Sequence, residues 1–420
     1  MKDRISRHFE DQERVAAMSE QATIGRPVAI AGAMANGPSL PPMMRAARLH
    51  RPGEPLSIDL VERPVARPTD VIVQVMACGV VPNMINVLNN LATWSYLHQP
   101  DLPAIYGLDV SGVIVEKGSQ VHGVAVGDRV YVNPGRYCGG CRSCRSGNTT
   151  ACQYFMLNGY FGMGALSQRL YDDYPYGGFA EFMSAPQYSL VKIPDNLSFE
   201  MAARWGYLGT GYAALRRAGV EMSSTVLING VTGTLGLGTA LFALALGARK
   251  ILGVGRNVEL LQRVRDLCPD RIDVRTLEGA ESIGDWARSL TDGEGVDVVV
   301  DALPTGAPAA SFRAAFAALG RGGRHVNVGS VYEDVPINFL QLNNDCQTLI
   351  GSLWFTTTHG QEMAELAANG SVKLEAFEHE VFALEEINAV LSGIGSRHGG
   401  FSNYVVSPDP RALKEKVAVR

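Results

Sequence analysis

Thr225-Val226-Leu227-Ile228-Asn229-Gly230-Val231-Thr232-Gly233-Thr234-Leu235-Gly236 is the stretch whose reading decides the fold. Its first four residues make a short β-type run, and glycines follow at 230, 233 and 236. An Ala/Leu-rich segment of helical length then continues to Gly247. A strand that ends in a Gly-rich turn and opens a helix suits a dinucleotide: the turn is tight, and backbone N–H groups and the helix N-terminus can approach a pyrophosphate. The spacing is G-x-x-G-x-x-G rather than the stricter G-x-G-x-x-G, so the placement between strand and helix carries the reading. A turn without a ligand is the alternative.

Toward the C-terminus, Ile251–Val254, Val296–Val300 and His325–Val328 are further apolar runs, with helical stretches between them. Continuously apolar strands separated by helices predict a doubly wound parallel sheet covered on both faces, an α/β fold. The second strand ends at Val254-Gly255-Arg256-Asn257. An NAD site usually places Asp or Glu there, about 20 residues on, to hold the ribose 2′-OH. The carboxylate is absent and an arginine follows, which would welcome a 2′-phosphate. The expectation is NADP(H), held by Gly230, Thr232, Gly233, Thr234, Leu235, Gly236, Gly255, Arg256 and Asn257. Arg256 as a merely solvated charge is the alternative.

Toward the N-terminus the texture is different. Val71–Val75, Val110–Val115 and Arg129–Val132 are short strands broken by turns, which predicts a β-rich domain. Residues 1–42 read as an extension, charged at first and then rich in Ala, Gly and Pro, a composition that buries little. The division predicted is 1–42, 43–206, 207–355 and 356–420, the last returning to the first domain with a strand near Asn403–Val406. Of seven cysteines, four fall within Cys138–Cys152 in the spacing C-x2-C-x2-C-x7-C. Such a cluster reads as metal binding before it reads as disulfides. Four thiolates on one loop match a closed Zn2+ site, which folds the loop and does no chemistry; an iron–sulfur cluster is the alternative from ligand type. Cys78, Cys268 and Cys346 read as buried thiols.

The order of β-rich domain, four-cysteine lobe, nucleotide fold and returning C-terminus resembles the zinc alcohol dehydrogenase branch of the medium-chain dehydrogenases/reductases. The resemblance covers about residues 43–408. It rests on Gly127-Asp128-Arg129-Val130, the four cysteines, Thr210-Gly211-Tyr212, Gly230–Gly236 and Gly322–Gly329. It implies a GroES-like catalytic domain, a Rossmann domain and a cleft between them, with Thr210 beside the nicotinamide. Assembly as a homodimer or homotetramer through the Rossmann domain is implied too. Members with a catalytic zinc have ligands at the positions of Val81, Leu108 and Gly206, none of which offers a donor atom here. Gly107 to Gly112, in the form G-x-D-x-x-G, is closer to the zinc-free quinone and enone reductases of the same superfamily.

Without that metal, removing hydride from a neutral alcohol lacks its largest electrostatic aid. Reducing an activated C=C bond is less demanding, because a few hydrogen-bond donors can stabilise the enolate. The expected activity is therefore NADP(H)-dependent reduction of an enone or enal. Alcohol dehydrogenation or carbonyl reduction of a hydrophobic substrate is the alternative, and a non-catalytic NADPH-binding protein the second. Tyr207, Asn83 and Tyr106 are the candidate catalytic residues; aromatic residues that merely fill space are the alternative for both tyrosines. Asp109 is expected to be a structural carboxylate paired with an arginine, with a role as acid or base the alternative. Trp94, Tyr96 and His98 fall in a loop that would line the cleft. Residues 153–178, rich in Tyr, Phe, Gly and Met, look inserted, suited to a sizeable hydrophobic substrate or to an oligomer contact.

The net charge of −5, with 46% apolar and 19% charged residues, is ordinary globular composition. It gives no general attraction to nucleic acid or to anionic membranes. No apolar run approaches the roughly 20 residues of a membrane span, and no apolar signal segment opens the chain. The expectation is a cytoplasmic protein acting on a small hydrophobic substrate.

Overall fold

A computed structural model describes residues 40–89, 97–277 and 282–417. Trp94, Tyr96 and the extension before residue 40 lie outside them. The apolar runs become strands one to five residues longer, the last ending at Asn327 rather than Val328: Thr225–Asn229, Lys250–Gly255, Val296–Asp301 and Leu319–Asn327. With Ile272–Thr276 and Thr348–Gly351 they form a six-stranded sheet in which every pair is parallel. Numbered along the chain, the strands lie in the order 3-2-1-4-5-6, the doubly wound arrangement whose ligand crevice opens beyond the carboxyl ends of strands 1 and 4. Leu227, Leu252, Val254, Val296 and Val299 are fully buried at the centre. Each is worth roughly 1.5–3 kcal/mol against an exposed side chain.

The N-terminal part is antiparallel and closes with the C-terminus. Asp70–Gly79 pairs with Asp109–Lys117, with Phe182–Pro186 and with Ser402–Ser407, and Glu378–Ala383 lies parallel to the last of these. After the parallel sheet the chain thus adds two more strands to this antiparallel sheet. Helix Trp205–Arg217 runs across the expected boundary between residues 206 and 207, so it belongs to both parts. It packs against helix Thr234–Ala245, which follows the glycine turn.

The segment 153–178 is built into the fold. It contains helix Gln168–Asp173, and Met156, Leu170, Tyr171 and Tyr174 make a small core of their own. Cys78 is buried as expected. Cys268 is only partly covered, and Cys346 is exposed at a positive-φ position (φ 53°), which corrects its reading as a buried thiol. Among the described residues no helix is long and apolar enough to cross a membrane.

Candidate active site and metal lobe

Three short segments from distant parts of the chain meet at one recess. Strand Asp70–Gly79 leads into Val81 and Asn83; strand Asp109–Lys117 opens with Asp109; and helix Trp205–Arg217 brings Gly206 and Tyr207. The recess between them is lined by Val81, Asp109, Arg204, Tyr207, Thr234 and Arg397, among others. Strand register explains the first two: Gly79 stands opposite Asp109, so both strand ends reach the same side.

Asp109 is the central group. Its carboxylate is wholly buried and accepts the Tyr131 hydroxyl at 2.9 Å and the Gly206 backbone N–H. Burial pushes its pKa up to about 7, against the opposing pull of those donors and of the Arg204 charge. No arginine forms an ion pair with it among the described residues. The expected arginine partner is thus corrected to Tyr131, because the neighbouring strand sets Tyr131 opposite Ser111, two residues along. The carboxylate also fills the space in front of residue 206. A Cβ added to Gly206 would lie 2.1 Å from Asp109 Oδ1, a distance no real contact tolerates.

Tyr207 lines the recess, and Asn83 follows directly on its lining residues Val80, Val81 and Pro82. The Asn83 side chain donates to the Tyr160 hydroxyl at 2.9 Å. Burial, reinforced by the Asp109 charge, raises the Tyr207 pKa to about 12. Tyr106 is not brought to this group. It is fully buried, and its hydroxyl donates to Gln99 Oε1 at 3.1 Å. His98 lies against Gln168 Oε1 at 2.8 Å and bridges to Gly162 through its backbone, both structural contacts.

The nucleotide turn has the shape its glycines suggest. Gly230 sits at φ +87°, and a Cβ at Gly236 would lie 2.2 Å from the Gly230 carbonyl. Side chains at these two positions would destroy the close turn that frees the helix N-terminus for a phosphate. Thr232 accepts the Gly400 N–H at 2.8 Å through its carbonyl, and Arg397 Nη2 donates to Thr234 Oγ1 at 3.3 Å. Arg397 thus stands between the helix start and Tyr207. Arg256 is exposed at the end of the second strand. Asn257 is committed to capping helix Val258–Asp266, accepting from Leu260 N at 2.9 Å. The Thr210 hydroxyl donates back to the Gly206 carbonyl at 2.9 Å, within its own helix.

The four cysteines converge. The Sγ atoms of Cys138, Cys141, Cys144 and Cys152 all lie within 4.8 Å of one another. Zn–S bonds of about 2.3 Å in a tetrahedron need sulfurs about 3.8 Å apart, so the set fits that ion. Backbone N–H groups of Cys138 and Tyr154 both approach Cys152 Sγ at 3.4 Å, as they would to a thiolate.

Two family models match, "Alcohol dehydrogenase GroES-like domain" over residues 67–195 and "Zinc-binding dehydrogenase" over 234–369. An alcohol dehydrogenase of Geobacillus stearothermophilus is 33% identical over 350 residues, covering 83% of this chain and 95% of the relative. The chain belongs to the medium-chain dehydrogenase/reductase superfamily.

Among curated relatives of this dehydrogenase is an NAD-dependent alcohol dehydrogenase of Sulfolobus acidocaldarius, 29% identical over 84% of this chain and 96% of its own. Among solved structures, that of AibC superposes with a TM-score of 0.74 at 27% identity, covering 87% of this chain and 96% of the other. The cobalt- and zinc-bound thermostable alcohol dehydrogenase of Pyrobaculum aerophilum superposes with 0.69 at 28%, covering 87% and 100%. Sequence reasoning missed two charged residues of this dehydrogenase's recess. Arg397 and Arg204 sit in stretches of mixed texture, where only the Gly399-Gly400 pair hinted at a close approach.

Proposed function

We propose that this oxidoreductase uses NADP(H) and reduces an activated C=C bond, an enone or enal, in a cleft without a catalytic zinc. The carrying observation is the collision between Asp109 and a side chain at 206. By resemblance, positions 81, 108 and 206 hold the catalytic metal's ligands in zinc-dependent relatives. In this chain the first two are buried hydrocarbon, Val81 and Leu108. The third is a glycine whose missing side chain makes room for a carboxylate 2.1 Å from where its Cβ would be.

The cofactor, when bound, supplies a hydride to the β-carbon of the alkene. The chain's own residues bind, orient and stabilise. Backbone N–H groups at Gly233–Gly236, with Arg397 beside Thr234, suit the pyrophosphate. Exposed Arg256, with no ion-pair partner among the described residues, suits a 2′-phosphate. Tyr207 donates its hydroxyl to the oxygen that becomes the enolate. Its side chain lines the recess in which a substrate would lie. The four-cysteine lobe holds one structural zinc. The reading extends to assembly: Phe339, Leu340 and Leu349 are exposed along the edge strand Thr348–Gly351 and the helix before it, a face suited to a second Rossmann domain.

The test is elemental analysis of chelator-free protein, followed by NADPH and NADH oxidation with a panel of enones, ketones and alcohols. One zinc per subunit and faster turnover of enones with NADPH are expected. Two zincs with alcohol oxidation would return the alcohol dehydrogenase reading to first place. NADPH binding without turnover of any alkene or ketone would favour the non-catalytic one.

A further inference from the structure

Reduction of an alkene is complete only when the α-carbon gains a proton, and Tyr207 is assigned to the oxygen. Asp109 carries the one carboxyl among the residues that line the recess; the guanidinium groups of Arg204 and Arg397 do not give up a proton. The Asp109 side chain occupies a slot between two glycines on different elements. A Cβ at Gly79 would lie 3.3 Å from Asp109 Cβ, and one at Gly206 would lie 2.1 Å from Oδ1 and 2.7 Å from Oδ2. Tyr131 closes the slot. It is wholly buried, its ring tilted against Trp205 with centroids 5.6 Å apart and stacked on Phe355 at 6.3 Å. Its hydroxyl donates to Oδ1 at 2.9 Å, the only side-chain hydrogen bond to this carboxyl among the described residues.

A wholly buried carboxylate with one hydroxyl donor and no ion-pair partner is poorly compensated, so its surroundings favour the neutral acid. Val81 and Leu108, both buried, add no donor. The titratable groups facing Asp109 are Cys78 on the strand that ends at Gly79, Tyr131 on the neighbouring strand, and Arg204 and Tyr207 at the helix start. Of these only Arg204 is charged near neutral pH, and its pull is outweighed by burial. The resulting pKa of about 7 populates both forms of the carboxyl there, the condition under which a general acid works best.

We propose that Asp109 is the general acid of the recess: its protonated carboxyl, held in place by Tyr131, delivers the proton that completes the α-carbon of the enolate. This rests on the reading of the chain as an enone reductase. Once a hydride has reached the β-carbon, the alkene π pair moves into the enolate. The Asp109 O–H bond then breaks as the α-C–H bond forms, leaving a carboxylate that water reprotonates when the product departs. Diazoacetamide tests the acid without any substrate, because it esterifies a carboxyl only in its protonated form, with loss of N2. Peptide mass mapping of the intact protein should find the ester at Asp109 after treatment at about pH 6 and none after treatment at about pH 9. Tyr131→Phe, which keeps the ring and removes a donor to the carboxylate, should extend labelling upward by about one pH unit. Folded parent that carries no ester at Asp109 at the lower pH overturns the proposal whatever substrate is found. Labelled protein that reduces no enone would sink the enone reading alone, since the protonated carboxyl would still face the recess. With NADPH and an α-methyl enone, the parent should give one configuration at the α-carbon. Asp109→Asn should lower kcat by about a hundredfold and yield both α-configurations, with hydride still adding to the same face of the β-carbon, because water then protonates the enolate. An Asn variant that keeps the parent's rate and α-configuration would assign the proton to another group and overturn the proposal.

Discussion

The cysteine lobe and the recess at Gly206 present opposite outcomes of one problem, holding donor atoms around a point. In the lobe all four sulfurs come from fifteen consecutive residues, and the folded loop leaves them within 4.8 Å of one another. In the recess, by resemblance, the ligand positions come from three segments separated by up to about a hundred residues. Here they carry valine, leucine and glycine, and the space is taken by Asp109. A local ligand set survives as a unit, because losing one thiolate leaves three in an unsatisfied cluster. A dispersed set can be replaced one position at a time, provided each vacancy is filled. The carboxylate before Gly206 is such a filling, and its nearly neutral pKa of about 7 marks how little solvent remains around it.

The largest expected effect comes from breaking the lobe. Cys144→Ser, or prolonged chelation, should remove the zinc and cost at least about 5 kcal/mol, roughly half of what a structural zinc supplies to a zinc-finger peptide. Thermal unfolding with parallel metal analysis checks this. A lobe variant that loses its metal yet melts with the parent would make the two regions equally dispensable and dissolve the contrast.

Asp109 offers the next test. A carboxyl whose folded pKa is raised from 3.8 to about 7 imposes no cost below the lower value. Its cost grows as pH rises between the two and is complete above about 7. Asp109→Asn keeps an acceptor for Tyr131 and does not titrate. Its stability relative to the parent should climb between pH 4 and 7 and then level, by about 4 kcal/mol at most for that interval. Chemical denaturation at four or five pH values resolves the slope. A flat difference would place a compensating positive charge closer to the carboxylate than Arg204 is.

These two tests separate what could be read in the sequence from what could not. The parallel sheet was legible because Val226–Ile228, Ile251–Val254 and Val296–Val300 are continuously apolar, a pattern set by burial on both faces. The lobe was legible because its ligands are neighbours in the chain. Tyr207 and Asn83 were chosen through the positions they adjoin, and Tyr207 lines the recess. Tyr106 was chosen by the same proximity but is used up by Gln99, since nearness in sequence does not say which way a side chain turns. Arg397 depends on a glycine contact, Gly400 on Gly233, between segments far apart in the chain. No periodicity records such contacts. Asp109 was misassigned for a related reason: its partner is set by cross-strand register with Tyr131, which composition does not encode.

The smallest effect, and the sharpest for the comparison, comes from trying to turn the recess into a second lobe. Restoring donors with Val81→Cys, Leu108→His and Gly206→Cys leaves Asp109 2.1 Å from the new Cβ at 206. Forcing that side chain in should cost about 1–3 kcal/mol, the range for overpacking a filled site. Because the carboxylate occupies the position, the triple variant should still hold one zinc per subunit. Adding Asp109→Ala to vacate the space should lower the packing cost and allow a second zinc to bind. If the triple variant alone took up two zincs without loss of stability, Asp109 would be a movable neighbour, and the absent ligands alone would set the metal content. If neither variant bound a second zinc, the segments carrying 81, 108 and 206 would themselves be set too far apart for one ion, and loss of the site would lie in the backbone.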